Sequence, residues 1–295
     1  MSPTSRPLMQ IEALAAGANR LGECPIWCER TGRLWWADVL EGALWSHDPA
    51  TGNCKQHPVE ARRLGSIALR QAGGLILACD NGLFSYDPET GAQGFLVDPE
   101  PGRAGHRKND GRADHMGNFW VGTLEEATYA PVGSLYRVAP DLSVSVEAEH
   151  LAIPNSLAFD PERGRMYYAD TRAYTIWVRD GFETGGGRQR TFATTTAPAR
   201  PDGSCIDAEG YLWNAEYAGG RVVRYAPSGE ISMTIDLPAT YPTCCCFGGS
   251  DFRTLYVTSA FEPLSSEELE REPLAGRVLM LDVGFLGKAE FRVGF

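Results

Sequence analysis

The chain has 295 residues with 27 basic and 38 acidic side chains, a formal charge of −11. Its Lys and Arg residues form no cluster beyond Arg62-Arg63 and Arg188–Arg190, which argues against a nucleic-acid surface, and no stretch has the length and apolarity of a membrane span. These properties predict a soluble cytoplasmic protein with neither nucleic acid nor membrane as a partner.

Residues 1–20 carry Glu12 inside a short, mixed apolar stretch, so no secretory signal core is expected there. LGECPIW at 21–27 then places the carboxylate of Glu23 just ahead of Ile26 and Trp27. A charged side chain in such a setting needs a partner if it is buried. LWWAD at 34–38 is the first of six related segments, each with an aliphatic or aromatic start, a small residue and often an acid. The others are LILACD at 75–80, FWVGT at 119–123, MYYAD at 166–170, LWNAE at 212–216 and LYVTS at 255–259. Their starts lie 41, 44, 47, 46 and 43 residues apart.

The segments that follow are further strands and turns. GALWSHDPATG, NGLFSYDPETG and GGRVVRYAPSG each pair an apolar run with Pro and Gly turn chemistry. Four-stranded units at this period predict an all-β chain: a single six-bladed β-propeller over 1–295 around a central channel. The last unit has strands near 244–248, 254–259 and 277–282. Its outer strand is expected from either 8–14, with the N-terminal segment 1–20 joining the closing blade, or 288–295. SSEELEREPL at 265–274 is the best helix, with Ser265 and Glu268 set for a capping box. The eight cysteines include the run Cys244-Cys245-Cys246, whose neighbours on a strand point to opposite faces. They read as reduced, buried apolar residues rather than a disulfide framework.

In a propeller the strand before each motif lines the channel. Glu23 and Asn155 lie 11 residues before their motifs, and Asn109 and Asp202 lie 10 before theirs. Each alone is an ordinary turn residue, but the shared phase aims all four at one channel mouth. The same phase puts Leu64/Gly65 and Cys244/Cys245 at that mouth as a less polar wall. Two carboxylates and two amides brought together need a cation between them. An all-oxygen donor set suits a hard divalent ion such as calcium, magnesium or manganese.

These residues carry a family resemblance. LGECPIW, RKNDGRADHMGNFWVGT at 107–123, IPNSLAFDPERGRMYYADT at 153–171, PDGSCIDAEGYLWNAEYAGGRVVRY at 201–225 and CCFGGSDFRTLYVTSA at 245–260 resemble the SMP-30/gluconolactonase/LRE-like family, to which regucalcin belongs. The resemblance runs from about Leu21 onward. It implies a six-bladed propeller with one divalent metal in the channel and hydrolysis of sugar lactones. The metal would be calcium first, with zinc, manganese, magnesium or iron as alternatives. The family's metal ligands fall on Glu23, Asn155 and Asp202, its substrate contacts on Arg107 and Asn109, and its acid/base on Asp202. A further substrate-contacting acid of some members points to Glu126, beside Glu125, although strict spacing lands on Ala127. Two positions depart from the family pattern: its LGEGP has Cys24 in place of the second Gly, and its Asn-Gly is Asn155-Ser156.

The expected function is therefore metal-dependent opening of sugar (aldono-) lactones, with a small-molecule sugar lactone as partner. The alternatives are another propeller hydrolase, acting on organophosphates or aryl esters, and a calcium-binding propeller without catalysis. The polar pair Arg107/Asn109 favours a polyol over an apolar ester.

Overall fold

Strands rich in β-branched and aromatic residues, cut by Asp-Pro and Gly turns, give six consecutive antiparallel sheets. In the turn after Ala43–Asp48, the Asp48 carboxylate accepts from Ala50 N at 3.0 Å and Gly52 closes with φ 73°. Asp87 and Gly91 repeat that geometry one blade later. The computed structural model describes residues 10–184 and 187–295.

The first strand of each sheet is its inner one: Gly22–Cys28, Leu64–Arg70, His106–Ala113, Pro154–Asp160, Arg200–Ile206 and Pro242–Gly248. Each packs against the next, and the last packs against the first, so the six sheets form a closed β-propeller ring. The inner strands are buried almost from end to end, whereas an outermost strand such as Ile231–Asp236 is largely exposed. Between blades lie apolar layers in which Trp36, Trp120 and Trp213 are fully buried. Each such ring removes roughly 150–250 Å² from water, on the order of 4–6 kcal/mol before chain entropy is set against it.

Two recurring features aim the inner strands. First, the ladder between inner and second strand is interrupted in every blade: between Glu23 and Ile26, Leu64 and Ser66, Lys108 and Gly111, Asn155 and Ala158, Pro201 and Ser204, and Pro242 and Cys244. A bulge turns the neighbouring side chains out of the pleat, here toward the channel. Cys24 (φ 49°) and Ser156 (φ 63°) hold left-handed conformations within two of these bulges, where glycine would be unstrained. Second, the acid that ends the repeated motif clasps the entry to its blade's inner strand. Asp38 accepts from Arg20 N and Leu21 N, Asp80 from Arg62 N and Arg63 N, and Asp170 from Ala152 N and Ile153 N, all at 2.8–3.2 Å.

Ile11–Ala13 pairs with Leu279–Asp282 and completes the sixth sheet as its outer strand. Residues 1–9 of the N-terminal segment lie outside the described residues. The alternative outer strand at 288–295 is not formed. Instead Arg292–Val293 pairs parallel with Leu69 and Arg70 on the inner strand of the second blade. The C-terminal segment crosses the channel end opposite Glu23, bonding Phe252 O through Gly287 N and Gly117 O through Gly294 N. The helix Ser266–Arg271 is inserted in the sixth blade with its capping box between Ser265 and Glu268. All eight cysteines are free; seven are buried and Cys54 is partly so.

Candidate active site

Near the starts of the inner strands the bulges bring Glu23, Arg107, Asn109, Asn155 and Asp202 to the lining of one cavity of ≈ 160 Å³. Leu21, Leu124, Tyr129, Ile153, Thr171, Arg172, Arg200 and Tyr217 complete its wall. Glu23, Asn155 and Asp202 are each no more than 8% exposed.

The two carboxylates are crowded. Burial pushes the Glu23 carboxyl up, and the charge of Asp110 adds to this. Burial pushes Asp202 up well above the usual carboxylate range, with the charges of Glu23 and Asp110 adding to it. Backbone N–H groups and Arg107 offset these effects only in part. Glu23 Oε2 accepts from Cys24 N at 3.1 Å, but the buried Asp202 Oδ1 has no hydrogen-bond partner among the described residues. An unpartnered oxygen beside a second acid, both out of water, is the setting a bound cation relieves. Among the described residues no three His, Cys, Asp or Glu side chains group as a metal site. The oxygen set here has two carboxylates and one amide, so it depends on Asn155.

Asn155 is fixed from both sides. Its Nδ2 donates to Thr171 Oγ1 at 2.8 Å and its Oδ1 accepts from Asn109 Nδ2 at 2.7 Å. Thr171 Oγ1 in turn donates to Pro201 O at 2.8 Å, next to Asp202. Asn109 Oδ1 accepts from Arg107 Nη1 at 2.7 Å. One chain of hydrogen bonds thus runs from Arg107 through Asn109 and Asn155 to the blade that carries Asp202. Networks of this kind hold their members in one geometry.

Glu126 lies outside the inner cavity, on a wider cleft of ≈ 470 Å³ that shares Leu21, Arg107, Tyr129 and Tyr217 with it. Its carboxylate is 2.7 Å from Arg63 Nε and 3.3 Å from Arg107 Nε. These arginines hold it below its ordinary range despite its burial. Glu125 serves its own loop instead, accepting from Ala127 N and Thr128 N at 2.8 Å. Both acids border the outer cleft, and Glu126 is the one that pairs with Arg107.

The less polar wall expected from Leu64/Gly65 and Cys244/Cys245 is not at the mouth. A Cβ on Gly65 would stand 2.2 Å from Lys108 O, so this glycine allows two blades to touch. Cys244 packs on Gly203, and Cys205 Sγ lies 3.6 Å from Cys245 Sγ in the interior. The wall instead comes from Leu21, Leu124 and Ile153 and from the rings of Tyr129 and Tyr217. Burial raises the Tyr217 phenol, and the charge of Asp202 adds to this. Asp110 is a further buried acid that the phase rule passed over. It sits deeper, accepts from Leu157 N at 2.9 Å and is balanced by Arg112. Its signal was visible in the Asn-Asp pair at 109–110, since a bulge lets two successive side chains face inward.

The sequence profile of the SMP-30/gluconolactonase/LRE-like region matches residues 21–261. The chain is 41% identical over 277 residues to a 6-deoxy-6-sulfogluconolactonase of Pseudomonas putida, covering 92% of this chain and 94% of that one. It is 36% identical to an L-arabinolactonase of Azospirillum brasilense, over 97% and 96% of the two chains. The crystal structure of regucalcin from Agrobacterium tumefaciens, a calcium-binding protein, superposes with TM-score 0.89 at 30% identity, over 96% and 97%.

Proposed function

Because the chain belongs to the SMP-30/gluconolactonase/LRE-like family, we propose that it is a metal-dependent sugar lactonase, opening aldonolactones to the corresponding acids. The observation that carries this reading is the pair Glu23 and Asp202, buried together with an unpartnered carboxylate oxygen, across one cavity from Arg107 and Asn109. The relatives named as lactonases act on sugar lactones, and the regucalcin relative is a calcium-binding protein.

Glu23, Asn155 and Asp202 would hold one divalent cation, calcium first. Bound there, it supplies the charge the acids lack and polarises the lactone carbonyl. Arg107 and Asn109 donate to the sugar hydroxyls and fix the ring against the acids. The free carboxylate oxygen of Asp202 takes a proton from water as the water oxygen bonds to the lactone carbonyl carbon. The bond from that carbon to the ring oxygen then breaks, and Asp202 returns the proton to the departing alkoxide. Leu21, Leu124 and Ile153 limit the water that reaches this end of the cavity.

The test is to strip the full-length protein of metal and add back calcium, magnesium, manganese, zinc or iron(II) singly. Acid release from an aldonolactone panel is recorded, with thermal unfolding as an independent readout. An ion that binds only the folded protein stabilises it by about 2.7 kcal/mol at 100 times its Kd. The expected result is a raised Tm and restored hydrolysis with the same ion. A raised Tm with no hydrolysis of any lactone would assign the chain to cation binding without this catalysis.

A further inference from the structure

The cations around the mouth divide into those that already have an acid and those that do not. In the outer cleft Arg62 pairs with Asp80 and Glu126, Arg63 with Glu126, and Arg20 with Glu41. Arg107 pairs with Glu126 and is the arginine whose charge bears on Glu23 and Asp202. Arg172 and Arg200 line the inner cavity yet make no ion pair among the described residues.

The side chain of Arg200 is held by its surroundings, whereas Arg172 is exposed and is placed through its backbone. Arg200 Nε donates to the Tyr174 hydroxyl at 3.3 Å, and the guanidinium carbon lies 5.8 Å from that ring's centroid. Arg172 stands on the short turn Thr171–Ala173, where its backbone N–H donates to Asp170 Oδ1 at 3.0 Å. Its neighbour Thr171 is the residue that binds Asn155. The two guanidinium groups therefore flank the polar cavity from the blades that carry Asn155 and Asp202. In a chain of charge −11, two cations without acids at the rim of one pocket are not a reflection of the overall balance. A neutral polyol needs no such charge. An oxyanion does, and the planar guanidinium suits its paired oxygens.

We propose that Arg172 and Arg200 form a subsite for an anionic substituent at the far end of the substrate. The chain's preferred substrate is then an aldonolactone with a terminal tetrahedral oxyanion, a sulfonate or a phosphate ester, rather than a neutral lactone. This rests on the lactonase reading above. The lactone ring lies over Glu23, Asn155 and Asp202, and the anion reaches the rim. The same two charges draw anionic substrate to the mouth, an effect that salt weakens.

The experiment compares kcat/KM of the metal-loaded full-length protein for gluconolactone, 6-phosphogluconolactone and 6-deoxy-6-sulfogluconolactone, at low and high salt. At least one anionic lactone is expected to exceed the neutral one by about tenfold or more, the scale of one charge-assisted hydrogen bond. The sulfonate and phosphate arms identify the anion. Arg172→Gln and Arg200→Gln should each lower the anionic-to-neutral ratio about tenfold, mainly through KM. That ratio is taken within one preparation, so it does not depend on the fraction folded. Arg253→Gln, at an exposed arginine paired with Asp251, should leave the ratio unchanged. Equal or better use of the neutral lactone, or an unchanged ratio in both variants, overturns the subsite and leaves the lactonase reading standing. No turnover of any lactone with any ion removes both.

Discussion

The side-chain amide of Asn109 donates to the side-chain oxygen of Asn155 at 2.7 Å, across two neighbouring inner strands. The residue proposed to hold substrate thus orients the residue proposed to hold metal. Asn109→Ala should weaken both functions. Lactone KM should rise and metal affinity should fall by about 10–100-fold, the range for losing an outer-shell partner. Calorimetric metal titration without substrate separates the two effects. An unchanged metal Kd would show that Asn155 keeps its orientation unaided.

Asp202 and Glu23 should respond differently to loss of charge. Asp202→Asn keeps shape and a ligating oxygen but removes the proton acceptor, and turnover at saturating metal should fall about 10²-fold or more. Glu23→Gln should chiefly weaken metal binding, with activity partly restored by excess ion. The measurement is initial acid release, corrected for spontaneous hydrolysis, across a metal titration. Near-normal saturated turnover in Asp202→Asn would assign the proton transfer to another group.

The clasp formed by Asp170 predicts a stability effect that reaches the site. Its carboxylate accepts from Ala152 N, Ile153 N and Arg172 N. Asp170→Ala leaves those donors without a partner at the entry to the Asn155 strand, at a cost of about 2–3 kcal/mol. Urea unfolding should show this loss, and metal affinity should fall with it. Asp38→Ala should do the same for the strand that carries Glu23.

His57 gives the molecule an acid limit unrelated to the channel. Burial, then the charges of Lys55 and Arg33, lower its pKa from 6.5 to about 4, and its ring shares a 2.8 Å hydrogen bond with Ser46 Oγ. The neutral ring is the folded form, so its contribution is full above 6.5 and is lost as pH falls toward 4. His47 is shifted in the same direction. Tm should therefore decline on acidification through this window. In His57→Gln the decline should be shallower, although Tm at neutral pH is lower.

The sequence showed the ring more clearly than the rim. The recurring aromatic, small and acidic residues were legible because each blade buries the same face and repeats the same clasp. Phase counting found Glu23, Asn109, Asn155 and Asp202 because equivalent positions in a ring converge. It misplaced Gly65 and Cys244 because each bulge shifts which side chain faces inward, and counting cannot locate a bulge. Cys24 and Ser156 hid that signal further, since both take a left-handed conformation that glycine would have announced. Arg172, Arg200, Tyr129 and Tyr217 come from strand ends and turns without periodicity. The segment 288–295 alternates like an outer strand, yet only Arg292–Val293 pairs, and with a different blade.

That C-terminal segment also decides how molecules move through the ring. It spans the channel end opposite Glu23 from Gly287 to Gly294, with Glu290 reaching to 3.7 Å from Arg112. Beneath it lie two small spaces of ≈ 30 and ≈ 10 Å³, far below the few hundred Å³ that a small-molecule site takes. What the ring offers is a dead-end street rather than a thoroughfare. Reactant and product must use the same doorway in turn, so a departing sugar acid stands in the way of the next arrival. Queueing of this kind makes the product a competitor of its own precursor, with inhibition that extra substrate can overcome.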